Sequence, residues 1–215
     1  MKRKPTSSPS ADGLPPVDTR DSEAVWRFVE GCFRRMHPRC RTSRLQSVFS
    51  LIVDIFSGRH PDYARNDLRY HDLEHTMQAT VCLVSLLEGR RISAVQPAID
   101  ARRCELAIVA VLLHDSGYLR LRGDRKGTGA KYTFCHVLRS GVLAASHLPV
   151  LGFDRDDVEI VLQAINCTGP RADVPRVPFR DPADRILGCA VTTADFLAQM
   201  AAPDYPDELP LLFAE

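Results

Sequence analysis

The sequence predicts an all-α fold, an irregular helical bundle, and three observations carry that prediction. Apolar residues recur at helical spacing, as in Val25, Val29 and Phe33, then Leu45, Val48, Phe49, Ile52 and Phe56, then Leu73, Met77, Val81, Val84 and Leu87. No segment shows the sustained apolar–polar alternation of a half-buried strand. The nearly continuous apolar run of residues 107–113 reads as the middle of a buried helix over 101–115.

Taken in order, residues 1–20 offer Ser, Pro, Gly and charge with almost nothing to bury, which predicts a disordered tail. Residues 21–215 are then one domain, because 215 residues fill one core and are too few for two ordinary ones. The two periodic segments after Asp21 and the one after Leu73 are the first three helices. The buried helix follows, with Gly117 expected to terminate it. Further helices are expected over about 134–148, 155–166 and 182–200, separated by the Gly- and Pro-bearing stretches 122–129 and 168–182. Near the end, Leu209-Pro210-Leu211-Leu212-Phe213 is an apolar group that begins another helix. It is expected to pack locally or at a subunit contact, or to mark a truncated chain.

Composition narrows the function classes. Hydrophobic residues at 45% and charged residues at 26% are ordinary for a globular protein, and no apolar run approaches the length of a membrane span. The basic start lacks the apolar stretch of a secretory signal, so a cytoplasmic location is expected. Lys2-Arg3-Lys4 is a short basic tail on a chain of net charge +1, which argues against a nucleic-acid partner. The seven cysteines have no Cys-x-x-Cys spacing, which argues against a zinc finger or disulfide scaffold. Cys82, Cys104 and Cys189 lie among apolar residues and are expected to pack as small hydrophobes.

Three groups of residues carry chemistry. Tyr70-His71-Asp72-Leu73-Glu74-His75 is read as opening a helix, which puts His71 and His75 on one face, about 6 Å apart along the axis. His114-Asp115 ends the buried helix after Val111-Leu112-Leu113. A carboxylate there needs a cation or hydrogen-bond donors, because burying it unpaired costs several kcal/mol. A metal ion would answer both residues; a nearby Arg or a neighbouring helix start would answer the aspartate alone. Asp195 poses the same difficulty among Val191, Ala194, Phe196, Leu197 and Ala198, whereas Asp181, Asp184 and Asp204 sit in polar, Pro-containing surroundings. His37, His60 and His147 are read as surface or capping residues, and Trp26 as core.

A histidine, an adjacent His-Asp pair and a distant aspartate, in that order on helices, resembles the HD superfamily of metal-dependent phosphohydrolases, which includes the cyclic-nucleotide phosphodiesterases. The pattern maps onto His75, His114, Asp115 and Asp195. Tyr70-His71 with His75 is similar to the phosphodiesterase opening motif, in which the first histidine is the general acid and the second binds metal. The likeness continues through His136-Val137-Leu138-Arg139-Ser140, Leu148-Pro149-Val150-Leu151-Gly152 and Val161-Leu162-Gln163-Ala164-Ile165, covering residues 70 to 200. Tyr118 stands where catalytic phosphodiesterases usually carry another histidine. Near Asn166-Cys167-Thr168 the second of two later histidines found in dinuclear relatives is missing.

The resemblance implies a bundle of the HD-domain type and hydrolysis of a small-molecule phosphoester, most concretely a nucleotide such as a cyclic nucleotide. His75, His114, Asp115 and Asp195 are the expected ligands of a divalent ion, and their nitrogen and oxygen donors suit Zn, Mn, Fe, Co or Ni. Asp115 is also placed to bridge to a second Mg or Mn. The expected reaction is attack of a hydroxide generated on the metal, with His71 protonating the departing alkoxide. His136 would contact the second metal or the phosphate, or simply cap its helix. Lys131 and Arg139 are candidate phosphate contacts. The alternatives are a nucleotidase or small-phosphoester phosphatase, a di-iron HD-type oxygenase, and a non-catalytic nucleotide-binding HD domain.

Overall fold

The computed structural model describes residues 17–169, 171–202 and 205–215; most of the expected tail, together with Asp204, lies outside the described residues. Among the described residues there are eight α-helices and no strand, only an isolated bridge between Tyr63 and Leu121. The helices are α1 (Ser22–Met36), α2 (Ser43–Phe56), α3 (Leu73–Ile92), α4 (Ala101–Leu113), α5 (His136–His147), α6 (Arg155–Ile165), α7 (Pro182–Ala201) and α8 (Tyr205–Ala214). Short 3-10 turns at Ser116–Tyr118, Gly129–Tyr132 and Val174–Arg176 punctuate the connections.

Aspartates start five of these helices. Asp21, Asp72, Asp100, Asp154 and Asp181 each accept a hydrogen bond from a backbone N–H of the first turn, satisfying donors that have no partner within the helix. Asp154 and Asp157 do so reciprocally as a capping box at α6. Pro182 then takes the first position of α7, where its missing N–H costs nothing.

The expected buried helix is α4, in which every residue from Cys104 to Leu113 is buried. It is the hub of the bundle, packed by α2, α3, α5, α6 and α7. Glu105 is tolerated in it because Arg44 of α2 closes on its carboxylate at 2.5 Å. Arg44 and Arg102 likewise meet the buried Asp157 of α6, at 3.4 and 2.6 Å. Across the hub, α3 and α7 make the most extensive helix–helix contact, which brings His75 and Asp195 onto facing surfaces.

The structure corrects several expectations. Residues 17–20 are ordered as a turn, and Arg20 pairs with Glu74 of α3 at 2.9 Å. Asp184 is buried rather than solvated, and it needs no metal because Arg103 reaches it at 2.8 Å while also holding Asp181 at 2.8 Å. Cys189 is exposed, whereas Cys82 and Cys104 are buried as expected. The helix expected to run to residue 115 ends at Leu113, and Gly117 does not terminate it. Gly117 sits in the next turn, where α5 passes so close that an added Cβ would lie 1.9 Å from the His136 carbonyl oxygen. The C-terminal apolar group does form a helix, α8, and none of its side chains is fully buried. No single helix among the described residues is long and apolar enough to cross a membrane.

Candidate metal centre

Four elements bring their functional side chains together. His75 comes from the first turn of α3, whose N-cap Asp72 accepts a hydrogen bond from the His75 N–H at 3.0 Å. His114 caps the C-terminus of α4, and Asp115 leads into the turn Ser116–Tyr118. His136 is the first residue of α5, and Asp195 projects from α7. All but Asp195 are buried, and Asp195 is nearly so.

The distances describe convergence. His75 Nε2 lies 3.2 Å from an Asp195 oxygen and 3.4 Å from an Asp115 oxygen. His114 Nε2 meets the same two oxygens, at 3.4 Å from Asp195 and 3.2 Å from Asp115. His136 Nε2 approaches the second Asp115 oxygen at 3.6 Å. His75, His114 and Asp195 can each present one donor atom within 4.8 Å of the others, a buried group able to hold a metal ion.

The hydrogen bonds behind the rings decide what these atoms need. The Nδ1 of His114 lies 2.7 Å from the Val111 carbonyl, and that of His136 lies 2.7 Å from the Thr133 carbonyl. A carbonyl only accepts, so each Nδ1 carries a proton, and each ring in its neutral form presents a bare Nε2 to the centre. Burial pushes His114 down, but Asp115 and Asp195 outweigh it and hold the ring well up, so without an ion its Nε2 takes a proton. The Nε2 of His114 is sealed from solvent and has no hydrogen-bond partner. It faces carboxylate oxygens, which are also acceptors, so positive charge must lie among these atoms. Protons would supply it in part. Burial pushes the His75 imidazole down, but hydrogen bonds and charge from Asp115 and Asp195 more than offset this and hold it up at about 9. Burial pushes Asp115 and Asp195 up, yet the His114 and His75 rings outweigh it and hold both carboxylates low.

A divalent ion would answer this need, and His75, His114 and Asp195 form a group able to hold one, with Asp115 beside it. Nitrogen and oxygen ligands bind such ions at about 2.0–2.2 Å, which at octahedral or tetrahedral angles separates neighbouring donors by about 2.8–3.6 Å. The nitrogen–oxygen distances of 3.2 and 3.4 Å fall within that interval. The residues present therefore fit a metal.

No family model, curated protein or solved structure matches the chain. What the centre can do is argued from its own surroundings.

His71 stands beside the metal ligands in a manner the sequence reading had wrong in one respect. It precedes the N-cap of α3, so the two histidines do not share a helix face; the chain turn at residues 70–72 still sets their rings 6.0 Å apart. His71 Nδ1 is 2.8 Å from a carboxylate oxygen of Glu215. The same carboxylate accepts from the backbone N–H groups of Arg69, Tyr70 and His71 at 2.7, 2.8 and 3.3 Å. Tyr118 is sandwiched between His71 and His136, with both ring centroids at 4.3 Å and planes 21° and 13° apart. Tyr118 is thus the spacer that holds two histidines in one stack.

Two expected phosphate contacts are committed to other partners. Lys131 pairs with Asp124 and donates to the Lys126 carbonyl. Arg139 donates to the carbonyls of Gly117 and Leu119 at 2.6 and 2.7 Å and lies over the Tyr132 ring at 3.5 Å. It braces the turn carrying Tyr118. A guanidinium that the sequence did not single out, Arg171, lies over the Phe134 ring. It lines a cavity of about 220 Å³ shared with His136, Phe134, Val137, Asn166 and Thr168. Glu215 was also missed, and no local signal marks it, because its contact with His71 spans 144 residues of chain.

Proposed function

We propose that the chain is a metal-dependent phosphohydrolase of the HD type, acting on a small phosphoester, with a nucleotide as the most concrete substrate. The observation that carries this reading is the sealed Nε2 of His114 facing Asp115 and Asp195 beside His75. A divalent ion held by His75, His114, Asp115 and Asp195 would supply Lewis acidity toward a phosphate oxygen and lower the pKa of water.

The remaining roles fall to the chain itself. His71 presents Nε2 at the edge of the centre while Glu215 fixes the ring through Nδ1, the arrangement of an oriented proton donor. Such a group would hand its proton to the departing oxygen, with Glu215 holding the ring in place. His136 turns its bare Nε2 toward Asp115, 3.6 Å from its oxygen, where it would contact a second ion or the phosphate rather than the carboxylate itself. The cavity beside His136 offers Phe134 and Val137 to the organic part of the ester and Arg171 to its charge.

The test is a screen of phosphoesters, cyclic nucleotides included, with Mn, Mg, Zn, Co and Ni supplied in turn, repeated with His71→Ala. Turnover in at least one combination is expected. The variant should bind metal almost normally yet lose about 10²–10⁴-fold in rate on a nucleoside ester, and less on a p-nitrophenyl ester, whose leaving group hardly needs a proton. No turnover in any combination overturns the reading, and equal losses on both esters remove the proton-donor role.

A further inference from the structure

At the opposite end of α3 from His75 lies a second cavity, of about 330 Å³, between the last turns of α1 and α3, the start of α4 and the connection 93–100. Fifteen residues of helix separate His75 from Arg90, about 22 Å at the helical rise, so the two sites do not overlap. Met36, Leu87, Ile99 and Cys104 form an apolar wall. Arg90 and Arg91 line the same space, with His37 beside them.

The charge in this cavity is uncompensated. Several arginines close on a carboxylate, as Arg35, Arg44, Arg102, Arg103 and Arg120 do. Arg90 donates only to the Pro97 carbonyl at 2.9 Å, and its Nε is buried without any partner. Arg91 has no ion pair or hydrogen bond among the described residues. Asp100 is near enough to act on His37, but it caps α4 and is paired with Arg103 at 3.1 Å. Burial and the Arg91 charge push His37 down, so it does not add to the positive charge at neutral pH.

Cations at a helix C-terminus commonly serve only the helix dipole. That accounts for an exposed Arg91, but it accounts neither for a buried donor left without an acceptor nor for an apolar hollow beneath it. Unmet buried donors above an apolar floor are the makings of a small-molecule pocket, in which apolar walls supply affinity and a few polar groups fix orientation. We propose that this cavity binds a small organic anion with an apolar body, a medium-chain carboxylate being the simplest member of the class. The carboxylate would pair with Arg91 and reach Arg90, and the chain would lie against Met36, Leu87 and Ile99.

Titration calorimetry of the full chain, freed of metal by chelation, tests this with octanoate as the probe and with 1-octanol and octylamine as controls. Octanoate should bind saturably at one site per chain, at least about tenfold more tightly than either control. Arg91→Glu and Ala98→Trp, both at exposed rim positions, should each weaken binding at least about tenfold while circular dichroism and the unfolding midpoint stay as in the unaltered chain. Absence of saturable binding overturns the proposal. So does octanoate binding that both variants leave intact, or that appears only when metal is restored, which would place the carboxylate at the other centre. Equal binding of octanol overturns the anionic part of the assignment.

Discussion

Asp195 and Asp184 lie on the same helix and are both largely buried, yet the structure gives them opposite work. Asp184 faces Arg103, a cation the protein carries itself, whereas Asp195 faces two imidazoles. Replacing each by asparagine separates the two. Asp195→Asn should lower metal affinity by at least about tenfold, because an amide oxygen is a much poorer ligand than a carboxylate. Asp184→Asn should leave metal affinity unchanged and cost about 1–3 kcal/mol of stability, since Arg103 keeps Asp181 and Asp100. Metal content by elemental analysis and denaturant unfolding read the two effects, and a larger metal loss at Asp184 would reverse the ligand assignment. Little of this difference was visible beforehand. The apolar neighbours of Asp195 marked it, but the polar neighbours of Asp184 suggested exposure, because its partner comes from α4, 81 positions away.

The turn Ser116–Tyr118 and α5 act as one element. Ser140 accepts from the Gly117 N–H at 2.8 Å and donates to the His114 carbonyl at 2.5 Å, while Arg139 grips the Gly117 and Leu119 carbonyls. Backbone meets backbone here, so position 117 has no room for a side chain. Gly117→Ala should push α5 outward and carry His136 and the Tyr118 stack with it. We expect a loss of about 1–3 kcal/mol in stability, an overpacking cost, together with a drop in turnover and weakened metal binding. A variant with unchanged unfolding midpoint and unchanged metal affinity would show that α5 moves freely. Sequence reading marked Gly117 as a helix terminator, which is a glycine's commonest role. Here φ is not in the left-handed region, and the requirement is close approach, which no local pattern records.

At the scale of the whole molecule a bound ion would be a cross-link. The side chains able to hold it come from α3, α7 and the junction after α4, so an ion there would tie together helices far apart in the chain. Metal at about 1,000 times its Kd should add about 4 kcal/mol to the stability of the folded state. For a chain of this size that raises the melting temperature by about 8–16 °C, and a chelator should reverse the gain. Calorimetric melting with and without chelator measures it. A melting temperature indifferent to metal would mean that the cluster holds its charge as protons alone.

Sequence alone determined the helical class and the buried hub, and it singled out His75, His114, Asp115 and Asp195 as candidate ligands. Each of these rests on a local rule: helical periodicity, an apolar run too continuous to be exposed, and ionisable groups stranded within apolar helices. Tertiary structure decided everything that depends on which surfaces meet. It alone showed that these four side chains converge, that Tyr118 separates two histidines, that Arg139 braces a turn, and that Glu215 reaches His71. The reason is physical. Burial and periodicity are written in neighbouring residues, whereas a hydrogen bond or ion pair between distant segments depends on the packing of helices whose apolar faces have many ways to meet.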